Sequence, residues 1–418
     1  METAAQRLLL CYVPAIDLRR VTPGHCPYIH ELLGACPTVQ LSSLPNCENV
    51  TTIVTGAYPH EHGMWGPRLR RESQERSAVE RTIDLFPDVI GTTAQCVAHF
   101  VNGPLDLATM PPRRRRRFDW LRFNIKYLKD VDGDVRTLQS ATNLLNLFGG
   151  DGRYVYHDEY WQLDELLAEI GKGDYVFEMV DSHCLDYLPH WNLDDELKIS
   201  EYYRGIDEFV AALHAKCRHN TVGLILLSDH GQEPVRQIID LPDRLRALDL
   251  KPSEYDLFIE YTRATFWFQT DQARSRIPEL LADSCDGTVM SYQELASYGV
   301  KFDDNDRGDS YFFADPGSTL WPNDFYQPLA NALLACKDRG MRSRLRRPWH
   351  RGDHGHLPEN ACETGFMVLA DDAFVAPDDQ FTLVDVAPSV LRLLGRPIPQ
   401  AMKGRPLFEK HHRKSVNW

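Results

Sequence analysis

Short apolar runs, each followed by acidic or histidine side chains, recur along this chain. Residues 224–227 form one such run, and Ser228, Asp229, His230 and Gly231 follow it directly. A continuous apolar run of this length predicts a buried parallel strand. Because the ligand sites of open α/β sheets lie outside the carboxyl ends of their strands, we expect Asp229 and His230 at such a site. Their oxygen and nitrogen donors suit zinc or another transition metal, although a cap or turn is the alternative for an isolated pair.

Two further strands are predicted on the same pattern. Residues 8–13 form an apolar run that leads to Asp17, and residues 175–180 form one that leads into the polar cluster 181–190. Residues 194–216 carry apolar side chains at helical spacing and connect this cluster to the run described above. Strand, helix and strand in this order predict a right-handed parallel unit.

The last part of the chain supplies a loop in which glycine and histidine alternate. His350, His354 and His356 lie in it, before the predicted strand 366–370 and the amphipathic helix 382–394. If all the predicted strands belong to one parallel sheet, three carboxylates and three imidazoles meet at one edge. That set suffices for two metal ions with open positions for substrate.

The predicted fold class is α/β, with a mostly parallel central sheet, helices on both faces and insertions. The basic run 113–117 interrupts this pattern. Such a run is usually a solvated face or a partner contact, and a phosphate-binding role is the alternative. The expected parts of the chain are a core in three pieces, 1–66, 151–245 and 346–418, an insertion or cap at 67–150, and a smaller lobe at 246–345.

Composition narrows the classes of function. The chain is 43% apolar and 25% charged, as in globular proteins, and its net charge is −14. That charge argues against a general nucleic-acid binder, but a phosphate substrate stays possible because bound metal ions invert the local field. The ten cysteines form no C-x-x-C pair, and the apolar start is too short for a membrane span. We therefore expect a cytoplasmic protein with reduced thiols that does not bind membranes.

Several motifs stand in an order that is known from one superfamily. They are Asp17, the run 52–63, the segment 228–231, the segment 352–355 and the close 385–407. With them the chain resembles the alkaline phosphatase superfamily, and most closely its type I phosphodiesterase/nucleotide pyrophosphatase branch. The resemblance implies an alkaline phosphatase-like core and in-line phosphoryl transfer at a two-metal site.

The resemblance also implies ligands for two divalent metal ions, which we expect to be zinc. The Asp-x-x-x-His motif of the family best matches Asp186 and His190. The competing pair is Asp181 with His183, which lies nearer the strand end but has the wrong spacing. The ligands carried over are Asp186, His190 and His354 for one ion, and Asp17, Asp229 and His230 for the other.

The nucleophile is where the chain departs from the family. The family places Thr, Ser or Cys nine residues before the threonine that matches Thr55, and here Asn46 stands at that position. Cys47 lies one residue late and Ser43 three residues early, so both are candidate nucleophiles and Asn46 is a candidate substrate contact. A buried small side chain is the alternative for Cys47, and a cap or turn role is the alternative for Ser43. Ser43 or Asn46 is also expected to cap a helix that Gly56 ends.

The predicted function is metal-dependent hydrolysis of a phosphodiester or pyrophosphate bond in a small-molecule phosphate ester. One alternative within enzymes is hydrolysis of a phosphomonoester, a phosphonate or a sulfate ester. The other alternative is a non-catalytic binding protein that keeps the metal ligands and lacks the nucleophile. Asn46 stands where the family has its nucleophile, and this favours the non-catalytic class.

Overall fold

The structure is a computed structural model of the chain. It describes residues 7–45, 49–66, 142–157, 163–170, 173–251, 253–284, 286–326, 344–371 and 373–410, together with 69–70, 118–119, 332, 335–336 and 342. Asn46, Cys47 and the basic run 113–117 lie outside the described residues, as does most of the predicted insertion.

The described elements follow the predicted alternation of strands and helices. The helices are α1 (Pro27–Ala35), α2 (Asn49–Thr55), α3 (Pro59–His62), α4 (Leu144–Phe148), α5 (Leu163–Glu169), α6 (Cys184–Asn192), α7 (Glu196–His219), α8 (Leu241–Arg246), α9 (Asp271–Ser284) and α10 (Val386–Leu393). The strands are β1 (Leu8–Tyr12), β2 (Thr38–Ser42), β3 (Leu69–Arg70), β4 (Phe118–Asp119), β5 (Gly152–His157), β6 (Phe177–Ser182), β7 (Gly223–Ser228), β8 (Glu233–Pro234), β9 (Gln237–Ile239), β10 (Tyr255–Ile259), β11 (Arg263–Phe268), β12 (Gly287–Ser291), β13 (Ser310–Ala314), β14 (Ser318–Leu320), β15 (Gly352–Asp353), β16 (Thr364–Leu369), β17 (Phe374–Val375), β18 (Phe381–Thr382) and β19 (Glu409–Lys410).

A seven-stranded sheet in the order β18-β2-β16-β7-β1-β6-β5 forms the centre of the first unit. Strand β1 pairs in parallel with β6 and β7, and β5 pairs in parallel with β6. Strand β16 runs antiparallel to both of its neighbours, β7 and β2. The predicted mostly parallel sheet is therefore confirmed, with β16 as the reversed strand.

Helices cover both faces of this sheet. Leu8 and Leu10 of β1 pack in a core with residues of α2 and α10, whereas Leu9 and Cys11 pack in a second core with residues of α1, α6 and α7. Successive side chains of a strand point to opposite faces, so the run that begins at Leu8 is apolar throughout because both of its faces are buried. The predicted placement of helices on both faces is confirmed.

The first described residue of helix α2 is Asn49, and residues 46–48 lie outside the described part of the chain, so the predicted cap at Ser43 or Asn46 stays a prediction. Gly56 follows its last residue with a φ of 58°, a left-handed conformation that glycine adopts without strain. The predicted end of the helix at Gly56 is confirmed, and the residues just before its start are not described.

The chain divides into two compact units. The first is Met1–Met64 with Ile125–Glu233 and Leu357–Trp418, and the second is Trp65–Asn124 with Pro234–His356. In the second unit a four-stranded antiparallel sheet has the order β10-β11-β13-β12, and apolar side chains of α9 pack on it. Across the described stretches of both units, the helices are too short or too polar to cross a membrane.

Candidate metal centre

Three neighbouring strands of the first unit bring polar side chains to one edge of the sheet. Tyr12, the last residue of β1, lies in register with Asp181 of β6 and with Leu227 of β7. Asp229 follows the end of β7 directly. Because the three strands are parallel, their carboxyl ends meet, and Tyr12, Asp181 and Asp229 come together in the buried interior.

Asp229 has one oxygen bound by two donors and one oxygen without a partner. Its Oδ2 accepts hydrogen bonds from the hydroxyl of Tyr12 at 2.7 Å and from Nδ2 of Asn49 at 2.8 Å. Its Oδ1 is buried and has no hydrogen-bond partner. Burial, together with the charge of Asp229, raises the pKa of Tyr12 well above its usual value, so Tyr12 stays a donor. A buried carboxylate oxygen without a donor is costly, and a bound cation would satisfy it.

His230 is oriented by its own turn. Its Nδ1 lies 2.9 Å from the carbonyl oxygen of Gly231, to which a protonated Nδ1 donates, and its Nε2 lies 3.4 Å from Oδ2 of Asp229. Burial lowers the pKa of His230, but the nearby carboxylates of Asp229 and Asp186 outweigh burial and raise it. A metal cation bound close to these carboxylates would reverse the local field and favour the neutral form of the His230 ring, which is the form that binds metals.

The acidic and histidine residues at the end of β6 and just after it form a continuous chain of contacts. Tyr154 donates a 2.6 Å hydrogen bond to Oδ2 of Asp181, and Nε2 of His183 lies 2.9 Å from Oδ1 of Asp181. Nδ1 of His183 lies 3.5 Å from Oδ2 of Asp186, and Nε2 of His190 lies 3.5 Å from the other oxygen of Asp186. The predicted pair and its competitor therefore lie side by side.

The carboxylates of the two pairs differ in exposure. The side chain of Asp181 is 0% exposed, whereas that of Asp186 is 23% exposed. Asp186 and His190 lie four residues apart on α6, so both project from the same face of the helix. Of the two carboxylates, the one that a solvated substrate can approach is Asp186. The histidines show the opposite order, with His183 23% and His190 13% exposed, so the choice of Asp186 and His190 as ligands stays a prediction.

Asp17 has a different environment from the one predicted. Its side chain is almost fully buried, and Arg19 donates to its two oxygens through Nε at 2.9 Å and through Nη2 at 2.7 Å. The same guanidinium donates to Oε2 of Glu233 at 2.7 Å. A bidentate contact with a guanidinium engages both oxygens of a carboxylate. Both oxygens of Asp17 are thus engaged by Arg19, and the ligand role that the family resemblance assigned to Asp17 stays a prediction.

Gly231 is needed for close packing against Asp17. A Cβ atom at Gly231 would lie 2.6 Å from Cγ and 2.9 Å from Cα of Asp17. The glycine is thus required because the backbone passes directly over the buried aspartate.

Of the residues proposed around the nucleophile, the structure describes Ser43. Its side chain is buried, and its hydroxyl lies 3.4 Å from Oε2 of Glu363. Its backbone N–H also donates to the carbonyl of Glu363 at 3.2 Å. The predictions for Asn46 and Cys47 fall outside the described residues, so the roles of all three stay predictions.

The loop that carries His354 belongs to the second unit, and hydrogen bonds hold it there. The hydroxyl of Thr262 donates to the carbonyl oxygen of His354 at 2.8 Å. Nδ1 of His356 donates to the carbonyl oxygen of Ala314 at 2.7 Å, and this histidine is fully buried. The ligand role of His354 stays a prediction.

Comparison with known proteins identifies the family of this chain. The model of the type I phosphodiesterase / nucleotide pyrophosphatase family matches residues 45–267. The chain belongs to this family. The matched part holds Asn46, Cys47, the pair Asp186 and His190, and Asp229. No protein with a curated description matches the chain.

Solved structures with the same fold are known for members of this type I phosphodiesterase family. Human ectonucleotide pyrophosphatase / phosphodiesterase 5 is 16% identical with a TM-score of 0.64, and the match covers 96% of this chain and 97% of that one. The murine protein of the same name, inactive and in complex with AMP, is 14% identical with a TM-score of 0.63, and the match covers 94% of this chain and 96% of that one. At these identities the likeness shows the fold, and it confirms the predicted alkaline phosphatase-like core.

Proposed function

We propose that this family member is a metal-dependent hydrolase of phosphodiester or pyrophosphate bonds. The observation that carries the proposal is the buried, unpartnered Oδ1 of Asp229, at the carboxyl end of a parallel strand. Membership of the nucleotide pyrophosphatase family supports the class of bond. AMP is bound to a murine protein of the same fold, so a nucleotide phosphate ester is the substrate class we propose first.

The donors proposed for two divalent ions are carboxylate oxygens and imidazole nitrogens, a set that suits zinc. Asp186, His190 and His354 are proposed for one ion, and Asp229 with His230 for the other. Ions bound by these donors would supply positive charge to the phosphoryl oxygens as negative charge develops on them. The identity of the metal as zinc rests on the donor types alone.

The chain's own residues would then prepare the reaction. Tyr12 and Asn49 hold Oδ2 of Asp229, which leaves Oδ1 to face the site. Asp181 orients His183 beside Asp186. Such a supporting layer fixes ligand geometry before substrate arrives. We propose that Cys47 or Ser43 attacks the phosphorus in line, which breaks the bond to the leaving alcohol or phosphate, and that water then releases the phosphoryl group from the side chain. Asn46 is proposed as a substrate contact.

A second candidate is a non-catalytic protein that binds the same ligand without turning it over. Asn46 at the family's nucleophile position favours it, as does the hydroxyl of Ser43, which lies beside the carboxylate of Glu363. Hydrolysis of phosphomonoesters, phosphonates or sulfate esters is a variant of the first proposal. The cytoplasmic location and the lack of nucleic-acid and membrane partners stay predictions from composition.

The test is turnover by zinc-loaded protein of bis(p-nitrophenyl) phosphate, p-nitrophenyl phosphate and p-nitrophenyl sulfate, with Asp229→Ala as the control. We expect the diester to be the preferred substrate and the variant to be inactive. Preference for the monoester or the sulfate would indicate that the protein hydrolyses phosphomonoesters or sulfate esters instead. No turnover of any substrate, together with saturable AMP binding by calorimetry, would select the binding protein.

A further inference from the structure

Asp17 is held by a cation of the chain itself. Besides the two side-chain contacts from Arg19, the backbone N–H of Arg19 donates to Oδ1 of Asp17 at 2.9 Å. Arg19 is in turn fixed by Glu233 and by the carbonyl oxygen of Gln232, at 2.9 Å from its Nη2. A divalent ion on the same carboxylate would have to displace a guanidinium that makes five hydrogen bonds, to Asp17, Glu233 and Gln232. The metal position of Asp229 and His230 therefore needs another oxygen donor.

Asn49 offers such an oxygen. It is the first described residue of α2, and its side chain is 4% exposed. Because an ionised carboxylate can only accept hydrogen bonds, the amide nitrogen must face Asp229, and this fixes which end of the amide is oxygen. The amide oxygen, Oδ1, is then the other end, and it is buried with no hydrogen-bond partner.

Two buried oxygen atoms without donors therefore belong to side chains that contact each other. One is Oδ1 of Asp229 and the other is Oδ1 of Asn49. Buried polar atoms are nearly always satisfied, so a pair of unsatisfied acceptors in contacting residues points to a cation. Amide oxygens are accepted ligands of divalent metals, most readily of the harder ions.

We propose that Oδ1 of Asn49, and not Asp17, is the oxygen ligand that completes the metal position of Asp229 and His230. The inference rests on the proposed function, because it assumes that a divalent ion binds there. A neutral amide in place of a second carboxylate leaves this position with one negative charge from Asp229.

The test counts metal ions in purified wild type and in variants, by elemental analysis after equilibration with zinc and removal of the excess. Wild type is expected to hold two equivalents and Asn49→Ala one. Asp17→Asn is expected to keep two. Asn49→Ser, which keeps a residue favoured at helix starts, serves as a second variant if the alanine change prevents folding, and it is expected to hold one.

Tyr12→Phe is the matched control, because Tyr12 and Asn49 donate to the same oxygen of Asp229. If Asn49 acts only by holding Asp229, the two variants lose metal alike, and the proposal is overturned. Two equivalents in the Asn49 variants, or a loss in Asp17→Asn, overturn it as well. Wild type that binds no metal removes the proposed function itself, an outcome distinct from the others.

Discussion

The hydroxyl of Tyr12 lies 2.7 Å from Oδ2 of Asp229, and this hydrogen bond joins the carboxyl ends of two neighbouring parallel strands. Both side chains are buried. Together with the hydrogen bond from Asn49, the contact fixes Oδ2 of the Asp229 carboxylate and leaves Oδ1 without a donor. Tyr12 is thus a positioning residue for the central aspartate of the site.

Replacement of Tyr12 by phenylalanine should test this role. The change leaves Oδ2 of Asp229 with Asn49 as its donor, so we expect a loss of about 1–3 kcal/mol in the free energy of unfolding. We expect kcat/KM for the diester to fall by about ten- to a hundredfold, as for other residues that orient ligands. Tyr154→Phe is the control, because it removes a similar hydrogen bond from Asp181; equal losses of activity in both variants would contradict a special role of Asp229.

Asp186 and His190 should prove essential where His183 is not. We expect Asp186→Ala and His190→Ala each to lose hydrolysis and one metal equivalent. His183→Gln should lower activity by about ten- to a hundredfold and keep the metal, since His183 contacts Asp186 without being a proposed ligand. An inactive, metal-poor His183 variant beside an active His190 variant would assign the ligands to the competing pair.

The nucleophile can be assigned by two substitutions. If Cys47 attacks, Cys47→Ala should abolish turnover of the diester while the metals stay bound, and Ser43→Ala should keep most of it. Ser43 is buried beside Glu363, which supports a packing role for its hydroxyl. The opposite result would assign the attack to Ser43. Full turnover in both variants would leave a bound water as the attacking group.

The pattern of apolar runs predicted the sheet and the edge where Asp181 and Asp229 meet. It could do so because a strand buried on both faces must be apolar, and the polar residues after it then fall at a strand end. The same pattern does not show whether neighbouring strands run parallel or antiparallel. Strand β16 is as apolar as β7, and its antiparallel course depends on the connection that precedes it.

The supporting residues of the site were not predictable in the same way. In the predicted strand 8–13, Tyr12 looks like one more apolar residue, and its partner is fixed by the register between β1 and β7. Asn49 lies far from Asp229 in the sequence. Arg19 stands two residues after Asp17, and the two side chains meet because the extended Asp17 caps the short 3₁₀ turn Leu18–Arg20 and accepts a hydrogen bond from the backbone N–H of Arg19, a local geometry that the apolar pattern does not reveal.

Gly231→Ala should destabilise the first unit. A Cβ atom would lie 2.6–2.9 Å from atoms of the buried Asp17, so either the backbone or the Asp17 carboxylate must shift. We expect a loss of about 1–3 kcal/mol in the free energy of unfolding. Gly34→Ala on α1 is the matched control, because a Cβ atom there meets nothing within 4 Å. That variant should be unchanged or more stable by about 0.5–1 kcal/mol, and equal destabilisation of both variants would contradict the steric explanation.

The last prediction concerns the pH dependence of stability through His214. Burial, and then the charge of Arg218, lowers the pKa of His214 below its usual value of 6.5. Nδ1 of His214 lies 2.6 Å from the hydroxyl of Tyr28, to which a neutral ring offers an acceptor. The folded protein thus prefers the neutral ring, whereas the unfolded chain takes up a proton near the ordinary pKa. Because the unfolded state then binds more protons, the stability contributed by this site is present above that pKa and is lost as the pH falls through and below it.

The measurement is urea unfolding at pH 7.5 and pH 5.5. Between these pH values wild type should lose more of its free energy of unfolding than His214→Gln, which cannot titrate at this position. An equal loss in the two proteins would contradict the assignment to His214.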